Sequence, residues 1–117
     1  MIGYHYAPVR ACLFGPTSDS RTVAVLCVPL DGEPVLVRGA LPAGKATGFG
    51  AALDEIERQA RVAAAAERSQ EGALMEWWAA RAVRKADAVY LAEPMSGSGE
   101  DVHEEAVRIL REKTGEG

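Results

Sequence analysis

Glu93, Ser96, Ser98 and His103 are the residues of this chain whose types and spacing can do chemistry. They fall in Ala88-Val-Tyr-Leu-Ala-Glu-Pro-Met-Ser-Gly-Ser-Gly-Glu-Asp-Val-His-Glu-Glu-Ala106, which reads as a buried strand, a Gly/Ser loop and a capped helix. A carboxylate, two hydroxyls, an imidazole and the free amides of a helix start are the parts of an anion or nucleotide site. Other residues in the stretch oppose that use. Glu100 and Asp101 already occupy the positive end of the helix and repel phosphate. The loop is not a Gly-x-x-x-x-Gly-Lys-Ser/Thr phosphate cradle, and Ser98 has no base nearby in sequence. The plainer reading is a connector followed by a self-capped helix, with His103 on a solvated acidic face.

A second group is Met75, Trp77, Trp78 and Arg81 on a helix. Adjacent helical positions point about 100° apart, so one tryptophan faces a core and the other is half exposed. An exposed tryptophan beside methionine and arginine has the composition of a binding hot spot. In Tyr4-His5-Tyr6, strand alternation puts the tyrosines on one face and His5 on the other.

Metal chemistry is not expected. The two cysteines, Cys12 and Cys27, lie in apolar strand-like segments and read as buried reduced thiols. Neither Cys-x-x-Cys nor His-x-x-x-His spacing occurs, and no cofactor motif is evident.

Elements of this order must position those residues. Tyr4 to Phe14 is a first strand, with Pro8 marking an edge or a bulge. Thr22 to Leu30 is almost wholly apolar, as a central strand covered on both faces is. Asp31-Gly32 signals a hairpin, and Pro34 to Arg38 returns as the third strand. Gly15 to Ser20 is a turn-rich link, and Leu41 to Thr47 a loop. Phe49, Leu53, Ile56, Ala60 and Ala63 form a helical stripe. Ser69 to Gly72 breaks or kinks it, so residues 48–86 form one helix or two. A strand from Ala88 to Ala92 follows, then a helix from Asp101 to Lys113, then a disordered tail at 114–117. The expected fold is α/β (or α+β): one domain over residues 1–117, ordered βββααβα, with a mixed sheet packed by helices.

That order resembles the front part of the ribonuclease H-like fold, with Ala46 to Ile56 where its first helix begins. The resemblance implies acidic metal ligands in the first strand, in the first helix (Asp54 or Glu55) and after the fourth strand (Glu93). Tyr4 to Phe14 has no carboxylate, so it implies an inactive relative that binds nucleic acid through Arg10, Arg21, Arg38 and Lys45. Locally, Tyr90-Leu-Ala-Glu-Pro-Met-Ser-Gly97 resembles the Tyr-Leu-Ala-Gly-Pro-Met stretch of nucleoside deoxyribosyltransferase-like proteins. Glu93 stands at the glycine that admits the ligand, and the motif falls near the end of the chain instead of the start.

Charge narrows the partners. Residues 1–47 carry net +1 and residues 48–117 net −5, within a total of −4. That balance argues against a broad nucleic-acid surface. The 117 residues contain no apolar run of membrane-spanning length, and Met1 to Tyr6 lacks the start of a secretory signal. Cytoplasmic residence is expected. The function expected is non-catalytic: a protein-interaction or regulatory domain that binds a partner, or itself as a homodimer, through the tryptophan helix or an exposed sheet edge. The alternatives are the inactive nucleic-acid binder and a nucleotide- or anion-binding enzyme built on Glu93 and His103.

Overall fold

The computed structural model describes residues 2–11, 21–39, 46–83 and 89–114. Strand β1 is Ile2–Ala11, β2 Arg21–Pro29 and β3 Val35–Arg38. Helices α1 (Ala46–Glu67) and α2 (Ala73–Val83) follow, then β4 (Val89–Leu91), β5 (Met95–Gly99) and helix α3 (Val102–Thr114). The first three strands form the antiparallel meander expected, and the sheet runs β3-β2-β1-β4, with β5 also on β1. The α/β class therefore stands. No described helix is long and apolar enough to cross a membrane.

Period-two alternation places the sheet between two helical layers. Ala7, Val9 and Ala11 of β1 and Ala24, Leu26 and Val28 of β2 pack with Leu53, Ile56 and Ala60 of α1 and Trp78 of α2. Tyr4 of β1, and Val25 and Cys27 of β2, pack on the other face with Val102, Ala106, Ile109 and Leu110 of α3. Both faces of β2 are covered, which is why its sequence is continuously apolar. Burying each such aliphatic side chain contributes about 1.5–3 kcal/mol. A bulge between Val9 and Arg10 leaves Val23 without a partner on β1, so Val23 and Ala24 both reach the α1/α2 core.

Several expectations change. The sheet is not mixed, since every described pair is antiparallel. The chain enters β4 beside Ala11, where β1 ends, and then runs back along β1. Of the two readings of Pro8, the edge fails, since β1 is interior, while a bulge does follow, between Val9 and Arg10. β4 pairs with Val9, Arg10 and Ala11, while β5 pairs with Ile2 to Tyr6. The Pro8 carbonyl accepts from the Ala92 amide at 3.0 Å, so the side of β1 on which Pro8 lacks an N–H faces the break between β4 and β5. Pro8 cannot return a bond to Ala92, whose carbonyl accepts from the Trp78 indole instead.

The Gly/Ser loop is a strand, β5. The Asp31-Gly32 turn lies in a longer connection, Leu30 to Pro34, between β2 and β3. Gly72 is the glycine with positive φ among the described residues, so the hairpin signalled by Asp31-Gly32 is not made by a left-handed Gly32.

Residues 46–83 form two helices. Gly72, at φ 92°, takes the conformation that ends one and starts the next. Its carbonyl accepts from the Glu76 amide at 2.9 Å. The Glu67 carboxylate accepts from the amides of Gly72 (2.8 Å) and Leu74 (3.0 Å). The last residue of α1 thus caps the first turn of α2. Thr114 is not in a disordered tail. It closes α3, its hydroxyl donating to the Leu110 carbonyl at 2.8 Å. Cys12, the Gly15–Ser20 link, Lys45, the end of the second helix beyond Val83 and residues 115–117 lie outside the described residues.

Candidate functional site

The segment that carries Glu93 crosses from β4 to β5 and is held from two sides. The Ala92 amide donates to Pro8, and its carbonyl accepts from the Trp78 indole N–H at 3.0 Å. Glu93, next along, is exposed. β5 then extends along β1, with Ile2 opposite Gly99, Tyr4 opposite Gly97 and Tyr6 opposite Met95. The Leu30 amide donates to the Gly3 carbonyl at 2.9 Å, so Gly3 faces β2. By alternation, Ile2, Tyr4 and Tyr6 turn their backbone groups toward β5. Their partners Met95, Gly97 and Gly99 close that ladder. The N–H and C=O groups of Ser96 and Ser98 therefore point away from the sheet, along its open edge. No described strand pairs with that side of β5.

The two glycines of β5 have packing reasons. A Cβ on Gly97 would lie 2.8 Å from the Tyr4 ring, and one on Gly99 would lie 2.6 Å from Cγ of Glu105. Tyr4 and Glu105 lie over the strand on the α3 face. Arg108 grips Glu105 at 2.6 Å and also reaches Glu112 at 2.9 Å. These neighbours, not a ligand, explain why glycine stands at both positions.

The amides at the start of α3 are occupied. Oδ1 of Asp101 accepts from the amides of His103 (2.9 Å) and Glu104 (3.2 Å). The Asp101 carbonyl accepts from Glu105 at 3.0 Å. Asp101 is the N-cap, and its carboxylate takes the place an anion would take. His103 is exposed. Glu93 and the end of β5 are six residues apart along extended chain, roughly 20 Å. Glu93, Ser96, Ser98 and His103 therefore line an edge and do not converge on one pocket.

In the tryptophan group, Trp78 is 0% exposed and is a core residue, unavailable as a docking surface. Trp77 is half-buried. Its indole donates to Oε1 of Gln59 at 3.0 Å, and its ring meets Trp78 edge-on with centroids 6.1 Å apart. Met75 is half-buried and packs against the same core. Arg81 is partly buried, and its Nε has no hydrogen-bond partner among the described residues.

A cleft of about 420 Å³ opens over β1 and β2, beside the α1–α2 turn. His5, Leu30, Glu67, Glu71, Leu74 and Met75 line it. His5 is on the face opposite Tyr4 and Tyr6, as alternation requires, and is the cross-strand neighbour of Ser96.

Of the carboxylates implied by the ribonuclease H-like resemblance, Glu93 is exposed, and the two on α1 are engaged elsewhere. Asp54 pairs with Arg38, which also approaches Glu57 at 3.7 Å. Glu55 accepts hydrogen bonds from Arg58 and Gln59, which lower its carboxyl pKa to about 2. Of the basic residues proposed for nucleic acid, Arg38 is thereby ion-paired, and Arg10 donates to the Thr22 hydroxyl at 3.2 Å. No known protein family, curated protein or solved structure matches this chain.

Proposed function

We propose that this chain is a protein-binding domain that takes an extended segment of a partner onto the open edge of β5. One observation carries the reading: the outward N–H and C=O groups of Ser96 and Ser98 lie on a strand, Met95–Gly99, with no charged or proline residue of its own. Proteins ordinarily blunt such edges with lysine, proline, short strands or a covering element. The opposite edge follows that rule. β3 ends in the charged, ion-paired Arg38, whereas β5, of similar length and likewise preceded by a proline, carries no charge. The contrast between the edges supports strand addition, in which backbone hydrogen bonds supply affinity and side chains supply specificity.

Ser98→Pro tests the reading. Proline at Ser98 removes an outward N–H and leaves the ladder with β1 intact. A photo-crosslinking residue placed at Ser96 in native cells captures the partner. Ser98→Pro abolishes that capture, and Ser98→Ala preserves it. Equal capture by all three forms rules out edge docking.

A further inference from the structure

Resting on the edge-docking reading, we infer that the segment bound by β5 is a strand with a cationic side chain at each end, about seven residues apart, and uncharged residues between. The charges that flank the edge select it. Glu93 precedes β5 and Glu100 follows it, seven positions apart, and both are exposed. Neither has a hydrogen bond or ion pair among the described residues. Asp101 adds a further negative charge beside Glu100, although its carboxylate is engaged at the helix cap. Between them, Met95 to Gly99 carries no charge at all.

An added strand about eight residues long, spanning roughly 23 Å, sets its ends against the two glutamates. The first arginine or lysine after Glu100, Arg108, is held by Glu105 and Glu112. Opposite charges facing each other across a strand pair are favourable, and like charges are not.

The same charges count against a second copy of this chain as the occupant. Ser96-Gly97-Ser98 is symmetric about Gly97, so self-pairing in antiparallel register sets Ser96 against Ser98. It also sets Glu93 against Asp101 of the other copy, and Glu100 against Pro94, at both ends of the interface. A basic-flanked partner removes that repulsion and gains two attractions, which weaken as salt rises.

The test uses the purified chain and synthetic eight-residue peptides with alternating valine and threonine between the ends. One has lysine at both ends and one has glutamate at both ends. A third is the lysine peptide with N-methylated backbone amides, which cannot form a ladder. Fluorescence anisotropy is expected to show the lysine peptide binding at least tenfold more tightly than the glutamate peptide at low salt, with the preference shrinking at high salt. The N-methylated peptide and the Ser98→Pro chain are expected to lose binding. Glu93→Lys combined with Glu100→Lys is expected to reverse the preference.

Equal binding of the lysine and glutamate peptides, both lost with Ser98→Pro, overturns the charge inference and leaves edge docking standing. Lysine-peptide binding that survives both N-methylation and Ser98→Pro overturns edge docking as well. No binding by either peptide overturns the inference. So does a dimer in sedimentation analysis that Ser98→Pro dissociates.

Discussion

Gly97, Gly99 and Cys27 show how single positions record their neighbours. Gly97 has no room for a methyl group because the Tyr4 ring covers it. Gly97→Ala forces that ring or the strand to move and is expected to cost about 1–3 kcal/mol in urea denaturation. Gly99→Ala meets Glu105, a longer side chain that can yield, and is expected to cost less. If the order reverses, the packing argument for these glycines is wrong.

Cys27 is buried between β2 and α3. Burial, followed by the nearby Glu105, pushes its thiol pKa up to about 12 from an ordinary 9. Burial also raises the Tyr4 hydroxyl. A raised acid pKa keeps the folded state protonated while the unfolded chain loses its proton. This contribution to stability is whole below about pH 9 and is lost as pH climbs toward 12. Thermal melts should therefore fall between pH 9 and 11, and the fall should be shallower in Cys27→Ala. An identical slope in the two proteins would remove Cys27 from that account. The buried thiol was legible from its apolar flanks. The reason for the glycines was not, because Tyr4 and Glu105 approach them only through tertiary packing.

At the scale of elements, sequence pattern located the helices well and the last strand poorly. The stripes of α1 and α3 were readable because both bury a 3–4 spaced face. The break at Gly72 was visible as a candidate, and the Glu67 carboxylate that caps α2 settles it. β5 was read as a loop because glycine and serine are poor strand formers. Its strand conformation comes from pairing with β1. Of the two readings of Pro8, the bulge has a counterpart one residue on, between Val9 and Arg10, and the edge fails because β4 and β5 both pair with β1.

Two substitutions test the element account. Asp101→Ala removes the acceptor for two amides of α3 and is expected to cost about 1 kcal/mol. Asp101→Asn should restore most of that loss, and an unchanged stability in Asp101→Ala would deny the cap. Trp78→Ala is expected to cost about 3–5 kcal/mol, well above Trp77→Ala, as measured by chemical denaturation. A larger loss at Trp77 would mean that the two rings have been assigned to the wrong sides of α2.

Across the whole molecule, helices cover both sheet faces, and the two edges are treated differently. The β3 edge ends in an ion-paired arginine, whereas β5 leaves its ladder open on an uncharged strand between two glutamates. The residues that first drew notice, Glu93, Ser96, Ser98 and His103, follow one another along that edge and into α3. The sequence reading made that Gly/Ser stretch a loop or connector, and the structure makes it a strand. Amide hydrogen exchange tests the central claim most directly, residue by residue along β5. In the free chain, Gly97 and Gly99 should exchange slowly, and Ser96 and Ser98 quickly. Adding the lysine-ended peptide should slow the two serine amides alone. Uniform protection along β5 in the free chain, or serine amides that the bound peptide leaves unchanged, would contradict an open edge that docks a strand.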